Sequence, residues 1–311
     1  MAGILDGVDR RTQLAGQNRL ELLLFRLGDK QLFGINVFKV QEVIQCPPLT
    51  QVPHAKPVVR GIANMRGRSI MIIDLARAIG RAPIADPSTA YVIVTEYNRS
   101  VQGFLVSGVD RIINMRWEDI LPPPKGSGSH YMTAVTRMDK DLVEIIDVEK
   151  VLSEVMCVNE TVSEKLVAEH AASNSAFHVL VADDSSVARK QIKRTLDQLG
   201  ITSTIVNDGK QALDYLRKLA ADGQPVTERV QLVISDIEMP EMDGYTLTTE
   251  IRHDPALRDL HVVLHTSLSG VFNNALIQKV GANQFIPKFD PDELARAVSE
   301  LVRSAAAAEA V

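Results

Sequence analysis

From Phe177 onward, short apolar runs rich in β-branched residues alternate with amphipathic stretches five times over, and this alternation leaves few topologies open. The runs are FHVLVADD, ITSTIV, QLVISD, HVVLHTS and NQFIPK. The stretches that follow them are SSVARKQIKRTLDQLG, DGKQALDYLRKLAA, EMPEMDGYTLTTEIR, VFNNALIQKVGA and PDELARAVSELVRSA. Strand-length runs separated by helical patterns read as βα units around a parallel sheet. Gly200 and Gly281 stand where helices stop, and Pro291 stands early in the first turn of the last one. The expected architecture is a doubly wound open sheet, whose functional crevice lies beyond the carboxyl ends of the strands.

That topology gives meaning to a set of polar residues. Asp183-Asp184 end the first run, Asp236 the third, Thr266 the fourth and Lys288 the fifth, so residues far apart in sequence converge on one spot. Crowded carboxylates repel one another, and a cation relieves the repulsion. Mg²⁺ is small and hard, and favours one or two carboxylates with waters and phosphate oxygens. Asp184 and Asp236 are candidates for direct ligands, with Asp183 acting through water. Asp236, on the central strand, is the candidate phosphoacceptor by in-line attack on a donor. Charge developing on the equatorial oxygens is then met by Mg²⁺, the Lys288 ammonium and the Thr266 hydroxyl. Ser267 is small and leaves room for the phosphoryl group, and His265 packs at the same strand end.

The first half has a different rhythm. From about Leu20 to Val148, the runs ELLLFRL, QLFGINV, SIMIIDL, AYVIVTE, VQGFLVS and LVEIIDV are separated by turn residues such as Gly28-Asp29 and Arg66-Gly67-Arg68. This spacing predicts β-hairpins building small barrels or a sandwich. The half also repeats internally. Gly34 to Ile44 aligns with Gly103 to Ile113, and Ile72-Ile73-Asp74-Leu75 aligns with Ile145-Ile146-Asp147-Val148. In both copies a strand ends at an Asp suited to cap the helix behind it. Val148 to about Ala168 reads as one helix, and residues 153–176 as a helical extension plus flexible linker. Nothing here looks catalytic. Gly126-Ser127-Gly128-Ser129 lacks the Lys-Ser/Thr ending of a phosphate-binding loop.

The length of 311 residues suits about two domains, and the 45% hydrophobic content supplies their cores. A net charge of −5 argues against a nucleic-acid partner. No apolar run approaches the roughly 20 residues of a bilayer span, and the start MAGILDGVDRR is unlike a secretory signal. Cys46 and Cys157 are isolated, as expected of reduced thiols in a cytoplasmic protein.

Residues 177–305 resemble bacterial response-regulator receiver domains, which have a flavodoxin-like fold. The motifs are Asp183-Asp184, Asp236-Ile237-Glu238-Met239-Pro240 with Met242-Asp243-Gly244, then Thr266 and Lys288. The resemblance implies phosphorylation at Asp236 and Mg²⁺ held by Asp183, Asp184, Asp236 and the backbone carbonyl of Glu238. It implies a signalling hydroxyl at Thr266, a phosphoryl-binding ammonium at Lys288 and an aromatic switch at Phe285. That ring turns inward with the hydroxyl and remodels the face of the fourth helix and fifth strand. Glu238 and Leu268 flank the path of attacking water and tune phosphoryl lifetime. One departure is that Phe289 follows the lysine and Pro287 precedes it, where the family usually has proline after the lysine.

Residues 15–155 resemble the CheW family, strongest at Gly61 and Asn64-Met65-Arg66-Gly67. That resemblance implies two five-stranded β-barrels that bind a chemoreceptor's cytoplasmic tip and the regulatory domain of the chemotaxis histidine kinase. Val37, Glu42, Asn64 and Arg66 are the interface candidates. Together the halves are similar to CheV-type chemotaxis coupling proteins, with domains at 15–155 and 177–305 and a linker at 156–176. The expected function is a cytoplasmic adaptor at membrane receptor arrays, without nucleic-acid binding or membrane insertion. Its receiver would catalyse only its own phosphotransfer and dephosphorylation, with the kinase as phosphodonor. The alternative is a phosphate sink that drains phosphoryl groups from the kinase. A transcription regulator is disfavoured, since no helix-turn-helix or basic module follows residue 305.

Overall fold

The computed structural model describes residues 19–97, 100–123, 131–138, 141–156, 161–170, 177–266, 280–288 and 290–309. Cys157, the loop at 126–129, Ser267, Leu268, Phe289 and residues 271–279 of the fourth helical stretch of the second half lie outside the described residues. The chain divides into two compact units, 19–158 and 159–311. Among the described residues no helix is long and apolar enough to cross a membrane.

The first unit is built of eleven described strands. The first copy of the repeat supplies β1 (Arg19–Arg26), β2 (Leu32–Asn36), β3 (Val40–Gln45), β4 (Val59–Met65) and β5 (Arg68–Asp74). The second supplies β6 (Tyr91–Tyr97), β7 (Ser100–Val106), β8 (Gly108–Arg116), β9 (Ile120–Leu121), β10 (Met132–Met138) and β11 (Asp141–Ile146). The copies do not form separate sheets. One sheet has the order β8-β1-β2-β11-β10-β9 and the other β3-β6-β7-β5-β4. Each copy thus lends its first two strands to a sheet completed by the other copy. The joints are the parallel pairs β2–β11 and β5–β7 and the antiparallel pairs β1–β8 and β3–β6.

Both sheets curl until their edges meet. Arg66, just past β4, reaches Glu42 on β3 at 2.7 Å. In the other sheet Thr136 of β10 meets the Met115 sulfur of β8 at 3.4 Å. Ile113 and Met115 of β8 and Ala134 and Met138 of β10 pack on one core with Leu22, Leu24 and Val143. The expectation of two five-stranded barrels therefore gains a sixth strand in one sheet, the two-residue β9 outside β10.

The capping aspartates behave alike. Asp74 is buried, and its Oδ1 accepts from the Arg77 amide at 3.1 Å at the start of α1 (Leu75–Ala78). Asp147 accepts from the Lys150 amide at 3.0 Å at the start of α2 (Val148–Met156). Helix α2 is pinned at its end by Lys56, whose Nζ donates to the carbonyls of Glu154 and Val155 at 3.1 and 2.9 Å. Tyr131 donates to the Glu154 carboxylate, and burial followed by that acid pushes the Tyr131 hydroxyl up to about 12.

The copies differ at one buried pair. Phe25 and Phe33 face each other across β1 and β2 and stack with ring centroids 5.8 Å apart. At the matching place on β6 and β7 stand Thr95 and Gln102, each 1% exposed. Among the described residues, the Thr95 hydroxyl and both amide atoms of Gln102 have no hydrogen-bond partner. A buried polar group left unpaired costs about 1–3 kcal/mol. Thr95→Val with Gln102→Leu is therefore expected to raise stability by about 1–3 kcal/mol in urea unfolding. A loss of stability instead would show that these atoms are satisfied by internal water.

The second unit carries a five-stranded parallel sheet in the order β13-β12-β14-β15-β16. Its strands are β12 (His178–Ala182), β13 (Thr202–Val206), β14 (Leu232–Asp236), β15 (His261–Thr266) and β16 (Gln284–Pro287). Its helices are α3 (Glu164–His170), α4 (Ser186–Gln198), α5 (Gly209–Ala221), α6 (Gly244–His253) and α7 (Pro291–Glu309). One core layer joins the sheet to α4 and α7 through Ile192, Leu196, Leu294 and Val298, and the other joins it to α5 and α6 through Leu213, Leu216, Leu247 and Ile251. Central strand β14 is buried along its whole length, as both faces are covered. Arg252 of α6 ties the sheet's lower edge together, donating to the carbonyls of Gly281, Arg258 and Leu260 and to Asn283 Oδ1 at 2.7–2.9 Å.

The expectation of one helix from Val148 to about Ala168 is corrected to two. Helix α2 ends at Met156 and α3 begins at Glu164. Within the span read as a linker, residues 161–170 are packed on the second unit. Val162 is buried in its core, and Leu166 and Val167 lie against that core.

Candidate functional site

The doubly wound order puts β12 and β14 side by side, so their carboxyl ends deliver Asp183 and Asp236 to one crevice. The three ligand oxygens offered by Asp183, Asp184 and Asp236 lie within 4.8 Å of one another. Asp183 and Asp236 are buried and Asp184 is half-buried. Lys288, 1% exposed, extends its ammonium between the two buried acids, 2.6 Å from Asp236 Oδ2 and 3.1 Å from Asp183 Oδ2. The other oxygen of each acid is held by backbone: the Ile237 amide donates to Asp236 Oδ1 at 2.7 Å and the Ser185 amide to Asp183 Oδ1 at 2.8 Å. Each carboxylate is thereby oriented from both sides.

The charge balance of this cluster decides what it can hold. Three carboxylates face one ammonium. At about 4 Å two like charges repel by roughly 4 kcal/mol even at an effective dielectric of about 20. One lysine therefore leaves an excess of negative charge, all of it on hard oxygen donors. Such a set fits a small divalent cation better than a transition metal that prefers nitrogen or sulfur.

The remaining predicted residues fall as follows. Thr266 ends β15, with its backbone in register with Pro287 of β16, and its neighbour His265 is in register with Asp236. His265 is buried. Phe285 lies half-buried on β16. Glu238 is half-buried just past Asp236. Its charge, after burial and with that of Asp243, holds the Tyr245 hydroxyl well above the usual phenol range.

Arg189 and Gly209 escaped the sequence reading as positioning groups, and Gly244 was named only as part of a motif. Arg189 on α4 donates to the Asp183 carbonyl at 2.7 Å, fixing the acid pair from the helix side. Gly244 opens α6, and its amide donates to the Ile237 carbonyl at 2.9 Å. A Cβ there would stand 2.1 Å from the Asp236 carbonyl oxygen. Gly209 opens α5, and a Cβ on it would stand 2.5 Å from the Met242 carbonyl oxygen. Both glycines let helices approach the 237–243 loop more closely than any side chain permits. The signal was there for Gly244, since it follows a strand-end acid and the helix cap Asp243, whose Oδ1 accepts from Thr246 at 2.6 Å.

In the first unit, the structure brings two of the four interface candidates together. Glu42 and Arg66 form the 2.7 Å ion pair between the barrel edges. Arg66 is 83% exposed and adopts φ 51° in the β4–β5 turn. An exposed pair contributes only about 0.2–1 kcal/mol, so it is a weak brace. Asn64 is exposed on β4, and Val37 is half-buried at the start of a 3₁₀ turn.

Residues 21–156 match the CheW-like domain family, and residues 179–299 match the response regulator receiver domain family. Chemotaxis protein CheV3 of Helicobacter pylori is 30% identical over 299 residues, covering 92% of this chain and 95% of its own. Chemotaxis protein CheV1 of the same organism is 28% identical, covering 98% of this chain and 100% of its own. The crystal structure of the scaffolding protein TtCheW from Thermoanaerobacter tengcongensis aligns with a TM-score of 0.40 at 24% identity, covering 43% of this chain and 92% of that one.

Proposed function

Since this chain belongs to the CheV family of chemotaxis proteins, a CheW-like domain followed by a receiver domain, we propose that it is an adaptor whose coupling of chemoreceptors to their histidine kinase is set by phosphorylation of Asp236. The observation that carries the reading is Lys288 Nζ at 2.6 Å from Asp236 inside a three-carboxylate cluster, in one chain with a CheW-like domain. The CheW-like domain engages the receptor's cytoplasmic tip and the kinase's regulatory domain, with Glu42 and Arg66 at the exposed barrel seam and Val37 and Asn64 as further contacts. The protein works in the cytoplasm at the membrane arrays.

A kinase phosphohistidine is the donor. Its P–N bond breaks, a P–O bond forms on the Asp236 carboxylate, and the imidazole leaves. Asp184, Asp236, Asp183 through water and the Glu238 carbonyl would hold Mg²⁺, which supplies positive charge opposite the transferring oxygens. Lys288 shifts from bridging carboxylates to holding a phosphoryl oxygen, and the Thr266 hydroxyl donates to another. Phe285, one strand over, follows that hydroxyl inward and alters the adjoining face. Beyond its own phosphotransfer and dephosphorylation the chain catalyses nothing. The output needs a difference in partner affinity between the two receiver states.

The test is co-sedimentation of the full chain with receptor-containing membranes and the kinase, with and without a small-molecule phosphodonor. The chain is expected to bind, and the donor to change kinase activity with wild type but not with Asp236→Asn. Binding indifferent to the donor, with rapid phosphoryl turnover, would make the receiver a phosphate sink instead. No binding would overturn the reading of the first domain.

A further inference from the structure

Residues 161–170 grip two helices, α4, which begins directly behind the acid pair, and α7, which begins three residues after Lys288 in the chain. Helix α4 starts directly behind Asp183-Asp184, through the Ser185 amide bonded to Asp183. Helix α7 starts at Pro291, close behind Lys288. The segment is anchored to the far end of the first and the opening turn of the second. The Val162 amide donates to Gln198 Oε1 at 2.9 Å, and the Ser163 amide donates to Asp292 Oδ1 at 2.8 Å. The Val162 side chain, 6% exposed, joins a core with Leu199, Leu294, Val298 and Val302, and Leu166 and Val167 lie against it. Helix α3 has seven residues, far short of the length at which an isolated helix persists in water. Its helicity therefore depends on this docking.

We propose that residues 161–170 are a latch on the α4–α7 groove, seated while Asp236 is unmodified and released when Asp236 is phosphorylated. The proposal rests on the reading of Asp236 as the phosphoacceptor. Phosphorylation places a dianion beside Lys288, whose ammonium now ties Asp183 to Asp236. The ammonium follows the new oxygens, and the short connection to Asp290 and Asp292 carries the start of α7 with it. Asp290 fixes that start by accepting from the Glu293 amide at 3.0 Å. The latch's two anchors require Gln198 and Asp292 in one relative placement, so a shift of α7 against α4 breaks one of the bonds, which weaken steeply with distance and angle. The chain that leads from the CheW-like domain then loses its seat on the receiver, which ties the phosphorylation state to the connection between the domains.

The test is hydrogen–deuterium exchange of the full chain, read by mass spectrometry, with and without acetyl phosphate and Mg²⁺. Intact mass reports phosphorylation in parallel, and Asp236→Asn receives the same reagents. Amides in 161–170 are expected to exchange about tenfold faster in the phosphorylated protein, the ratio for losing a hydrogen bond to a charged acceptor. They should stay unchanged in Asp236→Asn. A phosphorylated chain whose exchange there is unchanged or slower overturns the latch and leaves the acceptor reading standing. No gain of mass in wild type overturns the acceptor reading and the latch with it. A Gln198→Ala, Asp292→Ala chain, altered outside the acid cluster, should show fast exchange at 161–170 without acetyl phosphate and take up phosphoryl groups normally. Slow exchange in that variant also overturns the latch.

Discussion

Lys288→Ala lowers the stability of the receiver unit by about 3–5 kcal/mol at neutral pH, the cost of leaving buried carboxylates without their counter-charge. Lys288 is 1% exposed and the two acids it joins are 0% and 5% exposed, so water cannot replace the ammonium. A pair such as Lys193–Asp197, each side chain 54% exposed, is worth only a few tenths of a kcal/mol by contrast. Calorimetry of the full chain should show the receiver's transition falling by on the order of 10 °C. Mg²⁺ should restore part of the loss, and more in the variant than in wild type, because the variant's three carboxylates have lost the Lys288 ammonium. A variant as stable as wild type in the absence of Mg²⁺ would mean that the cluster carries less charge than its geometry implies. Phosphoryl uptake from acetyl phosphate should fall with the stability but stay low when Mg²⁺ restores the fold, since the ammonium also serves the transfer.

Gly244→Ala disturbs the same site through the backbone. The added methyl would meet the Asp236 carbonyl oxygen at 2.1 Å and the Ser235 hydroxyl at 3.0 Å, and the first of these cannot rotate aside. Helix α6 or the end of β14 must move. The expected cost is roughly 3 kcal/mol or more, and the displaced phosphoacceptor should take up phosphoryl groups about a hundredfold more slowly. Wild-type uptake in Gly244→Ala would show that the loop between Asp236 and α6 yields without moving the carboxylate.

The acid cluster was legible because a doubly wound sheet needs no long-range information to place it. Once five strands are recognised, their carboxyl ends must gather, and Asp183, Asp184, Asp236 and Lys288 gather with them. The need for Gly209 was not legible, because it comes from the Met242 backbone, far away in sequence. Six of the barrel strands, β1, β2, β5, β6, β7 and β11, were read and so was the repeat, but not the other five strands nor the partners. Two copies with the same apolar pattern offer each strand equivalent neighbours in either copy, and only the packed structure selects β2 with β11 and β5 with β7. Residues 161–168 were read as the end of one long helix from Val148, running into a linker, because Val162, Leu166 and Val167 extend an apolar stripe that gives way at once to polar sequence. Three apolar residues do not show where one helix ends and the next begins, yet they are enough to seat a short helix in a groove already built.

The exchange of strands between the two copies also governs how this chain must emerge from the ribosome. When residues 19–97 have appeared, β1 and β2 lack β8 and β11, and the β3–β6 and β4–β5 pairs lack the β7 that joins them. The β3-β6-β7-β5-β4 barrel cannot close until β7, ending at Val106, has been released, and the other cannot close until β11, ending at Ile146, follows. The nascent protein therefore holds open sheet edges through most of the first domain's synthesis, a state that invites pairing with neighbouring chains. The receiver, whose strands pair only among themselves, owes no strand to the barrels and can fold once α7, which completes its core, is out.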